Sequence, residues 1–133
     1  MECIVDTNIL VYETVEDSLY HREVVERLED ITKIWIPVNI LVEFALVLKK
    51  LGLDENFVCN KIKELLRKGK IELINVRKSD FEKAIEIISN EKLSILRLND
   101  KLILSSASRM RIPLYTYDKH LKSEATKFGV SII

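Results

Sequence analysis

The sequence predicts an α/β protein, a three-layer α/β/α sandwich with a central parallel β-sheet of four or five strands. Short apolar runs of strand length alternate with longer segments whose apolar residues recur at helical spacing. Strands separated by helices pair in parallel, which places helices on both faces of the sheet. A length of 133 residues, 47% of them apolar, with three Gly and two Pro, suits one compact domain spanning residues 1–133.

In the first half of the chain, the run "ECIV" predicts a strand and "SLYHREVVERLED" a helix, because Val24 and Leu28 are one turn apart. The run "KIWIP" predicts a second strand that Pro37 ends. The segment "NILVEFALVLKKLG" predicts a helix capped by Asn39 and stopped by Gly52. It is apolar almost all round, so we expect this helix to be largely buried.

The next helix is predicted in "DENFVCNKIKELLRKG", capped by Asp54 and ended by Gly69. Its expected inner face consists of four apolar residues: Phe57, Ile62, Leu65 and Leu66. The run "IELINV" predicts the third strand. Ser79 and Glu82 have capping-box spacing at the start of "SDFEKAIEIIS", which predicts a further helix.

Four elements complete the chain. The segment "LNDKLILSSASRMR" predicts a helix capped by Asn99, and "IPLYTYD" predicts a strand. The segment "KHLKSEATKFG" predicts a helix closed by Gly129, and "VSII" a last strand.

Bulk properties exclude some classes of protein. The 21 basic and 21 acidic residues cancel, so net charge alone does not predict a polyanionic partner. Cys3 and Cys59 are far apart, with no CxxC pattern and no adjacent His, and we interpret them as buried free thiols in a reducing compartment. No signal-peptide pattern and no 18-residue apolar run occurs, so we expect a cytoplasmic protein without a membrane partner.

Four acidic residues occur where a ligand site would form. Asp6 closes the first strand and Asp118 closes the "PLYTY" strand, so both belong at the carboxyl edge of a parallel sheet. Asp100 follows the Asn99 cap, and Glu43 lies in the first turns of the helix after "KIWIP". We expect these four side chains to meet in one cleft.

Glu43 is the most informative of the four. Its neighbours Val42, Phe44 and Ala45 are apolar, and no Lys or Arg lies one turn away. A partly buried carboxylate needs a partner, and a cation shared with other carboxylates would supply one. Oxygen ligands favour Mg²⁺ or Mn²⁺, and such clusters hydrolyse phosphodiesters. Each acid also has a simpler explanation as a turn former, helix cap or helix-dipole partner, and capping is compatible with metal binding.

The fragments "VDTN", "VEF", "LND" and "TYD", in this order and in these elements, resemble the PIN domain family from residue 3 to the end of the chain. The resemblance implies a metal-dependent ribonuclease whose metal ligands and catalytic residues are Asp6, Glu43, Asp100 and Asp118. It also implies that Asn8 and Thr116 hold metal-bound water or orient a carboxylate.

Compact prokaryotic members resemble the toxin of VapBC toxin–antitoxin pairs, which implies RNA as substrate, an antitoxin partner and a homodimer. Exposed apolar residues near 54–66, such as Val58 and Leu65, are the expected dimer face. Lys101 departs from the family pattern, in which a small apolar residue is common, and could weaken metal binding or contact phosphate.

Alternative functions remain open at this stage. A haloacid-dehalogenase-type phosphatase needs a second Asp where this chain has Asn8, and a receiver-like phosphoacceptor needs an acidic pair at the first strand. A PIN-like module that binds RNA or a protein without cutting is the main non-enzymatic alternative. Tyr12 and Tyr117 could stack on a base or belong to the core.

Overall fold

The computed structural model describes all 133 residues, and its centre is a sheet of four parallel strands. The strands are β1 (Glu2–Val5), β2 (Lys33–Pro37), β3 (Ile71–Ile74) and β4 (Leu114–Tyr115), arranged in the order β3-β2-β1-β4. In the register, Cys3 pairs with Ile34, and Ile4 pairs with both Trp35 and Leu114. The predicted fold class is confirmed.

Seven helices connect the strands. They are α1 (Thr7–Thr14), α2 (His21–Asp30), α3 (Val38–Lys50), α4 (Glu55–Arg67), α5 (Lys78–Glu91), α6 (Leu98–Met110) and α7 (Lys119–Ala125). Single 3₁₀ turns occur at Ile95–Arg97 and Thr126–Phe128. None of the helices combines the length and apolar character needed to cross a membrane.

Helix α1 was not predicted from the sequence. Its segment "TNILVYET" contains β-branched residues that are weak helix formers. The helix begins because the Asp6 side chain accepts a hydrogen bond from the backbone N–H of Ile9, which satisfies a free donor of the first turn. The residue expected to be a metal ligand is therefore also a helix cap.

Three predicted caps were wrong. Helix α3 begins after Pro37 and α6 after Arg97, so Asn39 and Asn99 lie inside the first turns. Helix α5 begins at Lys78, and it is Asp80 that accepts the hydrogen bond from the Arg77 backbone N–H. A cap assigned from residue type alone cannot distinguish neighbouring polar residues, because the burial of each is unknown.

Several burial predictions were also wrong. Helix α3 buries only Ile40, Phe44 and Leu48. Its other side leaves Val42 and Leu46 more than half exposed. In α4, Leu65 is buried, as predicted for the inner face, and so cannot belong to an exposed dimer face, whereas Phe57 and Leu66 are exposed. Cys3 is buried but Cys59 is exposed.

The predicted last strand is reduced to one parallel bridge between Leu114 and Ile132. The core extends from β1, where Cys3, Ile4 and Val5 are fully buried, to the inner faces of the helices on both sides. Strand β1 lies inside the sheet, and its last residue, Val5, is buried. This fixes the position of the next residue, Asp6, which is the N-cap of α1.

Candidate metal centre

A cleft beyond the carboxyl ends of β1 and β4 is lined by all four predicted acids: Asp6, Glu43, Asp100 and Asp118. Thr7 and Asn8 also line it, and Ile40, Val47, Ile103 and Leu121 form its apolar surface. The acids come from four separate elements, the starts of α1, α3, α6 and α7. The fold thus brings together four residues that span 112 positions of sequence.

Asp6 is the most buried of the four acids, with 5% of its surface exposed. Its Oδ1 accepts a hydrogen bond from the Ile9 N–H at 3.1 Å, and its Oδ2 accepts one from the Thr116 hydroxyl. The Thr116 Oγ1 in turn accepts a hydrogen bond from the Asp118 backbone N–H at 3.0 Å. Thr116, predicted as a supporting residue, therefore links Asp6 to Asp118.

Asp118 caps α7 through Oδ1, which accepts hydrogen bonds from the backbone N–H groups of His120 (2.8 Å) and Leu121 (3.2 Å). Glu43 accepts a 2.6 Å hydrogen bond from the Thr7 hydroxyl through Oε2. The second oxygen of each carboxylate makes no hydrogen bond within the chain. Both residues can thus keep a fixed orientation and still offer a free oxygen donor.

The electrostatics of the cleft are dominated by burial and by repulsion between the acids, although Arg97 and His120 partly offset the effect at Asp100. Burial raises the pKa of Asp6 to about 6, and the negative charges of Asp118 and Asp100 add to that effect. Burial also raises the pKa of Asp100, as do the charges of Asp118 and Glu43. None of the four acids takes part in an ion pair within the chain.

The donor set fits a divalent cation that prefers oxygen ligands. Four carboxylates without a basic partner are the chemistry that Mg²⁺ and Mn²⁺ bind, and a cation would remove their mutual repulsion. In their present positions no three acidic side chains converge closely enough to bind one ion. The chemistry of the donors thus fits such a cation, although the four side chains do not form a closed binding site in these positions.

Lys101 follows Asp100 but binds elsewhere. Its side chain is buried and forms an ion pair with Glu124 of α7, not with an acid of the cleft. Glu124 also lies 3.0 Å from the His120 Nε2. Lys101 therefore has no free ammonium group to offer to phosphate.

Asn8 and an asparagine pair complete the surroundings of the cleft. Asn8 is exposed at its edge. The Asn39 Nδ2 donates a 3.1 Å hydrogen bond to the Asn99 Oδ1, which joins the first turns of α3 and α6. The sequence predicted both asparagines to be helix N-caps. Their position one residue inside each helix start lets them join the helices that carry Glu43 and Asp100.

Comparison with known families decides the classification. The model of the family described as "PIN domain" matches residues 3–126 of this chain. The chain belongs to the PIN domain family. The resemblance drawn from the four acidic fragments is confirmed, and the match includes every residue of the acidic cleft.

Solved structures similar to this PIN domain include several toxin–antitoxin proteins. VapC20 of Mycobacterium tuberculosis, described as a sarcin-ricin loop cleaving toxin, has a TM-score of 0.79 and 12% identity, covering 91% of this chain and 93% of that one. VapBC2 of Rickettsia felis, bound to a promoter DNA fragment, has a TM-score of 0.71 and 21% identity, covering 100% and 98%.

A toxin–antitoxin complex from Klebsiella pneumoniae has a TM-score of 0.61 and 22% identity, covering 87% of this chain and 86% of that one. At such identities the likeness establishes the fold. No curated protein sequence matches the chain significantly.

Proposed function

We propose that this PIN domain is a metal-dependent endoribonuclease that hydrolyses RNA phosphodiester bonds. The observation that carries the proposal is the cleft in which four acids, all without a basic partner, line the carboxyl edge of a PIN fold. Asp6, Glu43, Asp100 and Asp118 are the proposed catalytic residues and the ligands of Mg²⁺ or Mn²⁺.

The bound metal would polarise the phosphoryl group and lower the pKa of an attacking water. The residues of this chain prepare the site for it. Thr116 holds Asp6, and Thr7 holds Glu43, so that two ligands keep defined rotamers. The free oxygen of Asp118 and both oxygens of Asp100 remain available. In-line attack by water would leave a 5′-phosphate and a 3′-hydroxyl.

We further propose that the domain, spanning residues 1–133, is the cytoplasmic toxin of a toxin–antitoxin pair. Two of the similar structures are described as a toxin and as a toxin–antitoxin complex, which supports this role. Its partners would be RNA, an antitoxin protein and a second copy of the chain. A gene for a small partner protein next to this one, and co-purification of the two products, would test the pairing.

The open form of the acidic cluster favours one alternative, a PIN-like module that binds RNA or a protein partner without cutting. Such a module would have the PIN fold and bind the metal through these carboxylates, but its catalytic activity would be weak or absent. Metal binding without cleavage of any RNA would distinguish it from the enzyme.

The test is cleavage of a mixed RNA pool by the full chain with Mn²⁺, with Mg²⁺ and with EDTA, beside Asp6→Asn from an identical preparation. Cleavage that needs a metal, leaves 5′-phosphate ends and disappears in Asp6→Asn would support the nuclease. Equal cleavage by both proteins would reveal a contaminant and remove the support for Asp6. No cleavage in either, with metal bound, would favour the binding module.

A further inference from the structure

The four tyrosines of the chain form one cluster beside the acidic cleft. Tyr20 and Tyr117 are stacked, with ring centroids 4.2 Å apart and planes 10° from parallel. Tyr12 makes T-shaped contacts with both rings, with centroid distances of 5.3 Å and 5.8 Å. Tyr115 is 5.8 Å from Tyr117 and lies in the core. We call the three outer rings of Tyr12, Tyr20 and Tyr117 the tyrosine wall.

The tyrosine wall adjoins the proposed metal ligands. Tyr117 is the residue before Asp118, and Tyr12 lies on α1, whose N-cap is Asp6. Burial raises the pKa of the Tyr12 hydroxyl, and the negative charges of Asp6 and Asp118 raise it further. Tyr12 is therefore within electrostatic range of both acids.

Exposure separates the wall from the core. Tyr115 is 1% exposed, whereas the three residues of the wall are only partly buried. The Tyr117 hydroxyl lies 3.3 Å from the hydroxyl of the buried Tyr115. This hydrogen bond restrains the stacked pair of Tyr20 and Tyr117. Rings that are held rigidly yet remain open to solvent lose little conformational entropy when a planar group stacks on them.

Charged groups of both signs border the wall, and the Glu23 carboxylate lies next to the Tyr117 hydroxyl. The Lys122 Nζ lies 6.0 Å from the centroid of the Tyr117 ring and is exposed. An ammonium group next to an aromatic surface suits a ligand that combines a phosphate with a base. A nucleotide has both.

We propose that the tyrosine wall binds the unpaired base of a nucleotide next to the phosphate to be cleaved, with Tyr12 as the principal stacking residue and Lys122 as a phosphate contact. The inference rests on the proposed function for its substrate class. It adds a preference for single-stranded RNA, because the faces of a base in a duplex are already covered by its neighbours. Stacking depends little on base identity, so this subsite selects unpaired nucleotides and not a sequence.

The test measures binding without cleavage. Full-length Asp6→Asn, with Mg²⁺ present, is titrated with fluorescent single-stranded RNA oligomers in which one base at a time is replaced by an abasic unit. Loss of the base that reaches Tyr12 should weaken binding about tenfold, the usual effect of one stacked base. In the double variant Asp6→Asn, Tyr12→Leu, removal of the same base should change the affinity less than twofold, because the ring on which the base stacks is absent.

Two further variants exclude indirect effects. Tyr12→Phe keeps the ring and should retain the sensitivity to base removal, whereas a role of the hydroxyl alone would abolish it. Phe57→Leu removes an exposed aromatic ring on α4, outside the wall and the cleft, and should bind as the parent does. Thermal melts of each variant confirm that it is folded.

The inference would be overturned if removal of the base weakened binding equally in the protein with Tyr12 and in the Tyr12→Leu variant. It would also be overturned by the absence of binding by any oligomer, or by Tyr-dependent binding of duplex equal to that of single strands. If binding depends on Tyr12 and on one base but the wild-type protein cleaves no RNA, the stacking subsite is supported and the proposed nuclease activity is rejected. If the wild type cleaves RNA but binding shows no such dependence, the nuclease is supported and the stacking subsite is rejected.

Discussion

Asp6 faces two opposed requirements at the scale of a single residue. It must be buried to cap α1 after the central strand, yet as a metal ligand it must be ionised. Burial and the charges of Asp118 and Asp100 raise its pKa to about 6, against an ordinary value of 3.8. Without a cation, the folded protein therefore holds the Asp6 proton more strongly than the unfolded chain does.

This difference predicts the pH dependence of stability in EDTA. The folded state loses stability as pH rises from about 4 through 6, because Asp6 ionises there at a cost of roughly 3 kcal/mol. Asp6→Asn removes that cost. Relative to wild type, the variant should therefore gain more unfolding free energy at about pH 7.5 than at about pH 4, as measured by urea denaturation. An equal difference at both values would show that Asp6 does not titrate in this range.

The meeting of the four acids at one cleft could be predicted from the sequence because three of them occur at element boundaries and Glu43 stands out among apolar neighbours. Asp6 and Asp118 follow strands, and Glu43 interrupts an apolar helix. The detailed contacts could not be predicted in the same way. The bonds from Thr7 to Glu43 and from Asn39 to Asn99 join residues 36 and 60 positions apart, and only the packing of α1, α3 and α6 brings them together.

At the scale of elements, the Lys101–Glu124 ion pair fastens α6 to α7, the two helices that carry Asp100 and follow Asp118. The Lys101 and Glu124 side chains are 4% and 11% exposed. Removing one partner of a buried pair leaves an uncompensated charge, which typically costs about 3–5 kcal/mol. Here His120 and Arg97 remain near Glu124 and reduce that cost.

Lys101→Met should therefore lower the free energy of unfolding by about 2–3 kcal/mol, and adding Glu124→Leu should restore most of the loss. Urea denaturation of both variants tests this expectation. Arg22→Met is the control, because it breaks an exposed pair with Glu26 and should change stability by less than about 1 kcal/mol. A double variant no more stable than Lys101→Met would show that the pair contributes through packing and not through charge.

Helix α3 has an exposed apolar stripe that the sequence pattern did not predict as exposed. Val38, Val42 and Leu46 lie one turn apart, and are 37%, 56% and 60% exposed. The apolar positions could be predicted, but their exposure could not, because an all-round apolar helix indicates burial without saying what covers it. We propose the stripe as the contact surface if two copies of the chain form the homodimer proposed above, in place of the face that included the buried Leu65.

Val42→Glu combined with Leu46→Glu should then convert a dimer into a folded monomer in sedimentation velocity, because charge cannot be buried in an apolar contact. Leu66→Glu, at an exposed apolar site of α4, is the matched control and should leave the dimer intact. Dissociation by Leu66→Glu alone would assign the contact to α4, and a wild type that stays monomeric would remove the proposal.

At the scale of the whole molecule, zero net charge conceals a local acidic site. Four of the 21 acidic residues line one cleft without a basic partner, whereas the acids Glu124 and Asp80 are paired with Lys101 and Arg109. Alternation of strands and helices made the fold class predictable, and strand order placed Asp6 between Glu43 and Asp118. Helix α1 escaped prediction because its start depends on a side-chain bond of Asp6 and not on periodicity.

We propose that the four acids of the cleft form one metal centre. Calorimetric titration of the full chain with Mn²⁺ tests that claim most directly, using wild type, Asp6→Asn, Glu43→Gln, Asp100→Asn and Asp118→Asn. Asp54→Asn is the control, because Asp54 caps α4 as Asp6 caps α1 but lies outside the cleft.

We expect wild type and Asp54→Asn to bind Mn²⁺ equally. Each of the other four variants should bind at least about tenfold more weakly, because loss of even an outer-shell partner of a ligand typically costs about 10–100-fold in metal affinity. Wild type that binds no Mn²⁺ at millimolar concentration, or cleft variants that bind as tightly as Asp54→Asn, would contradict the account.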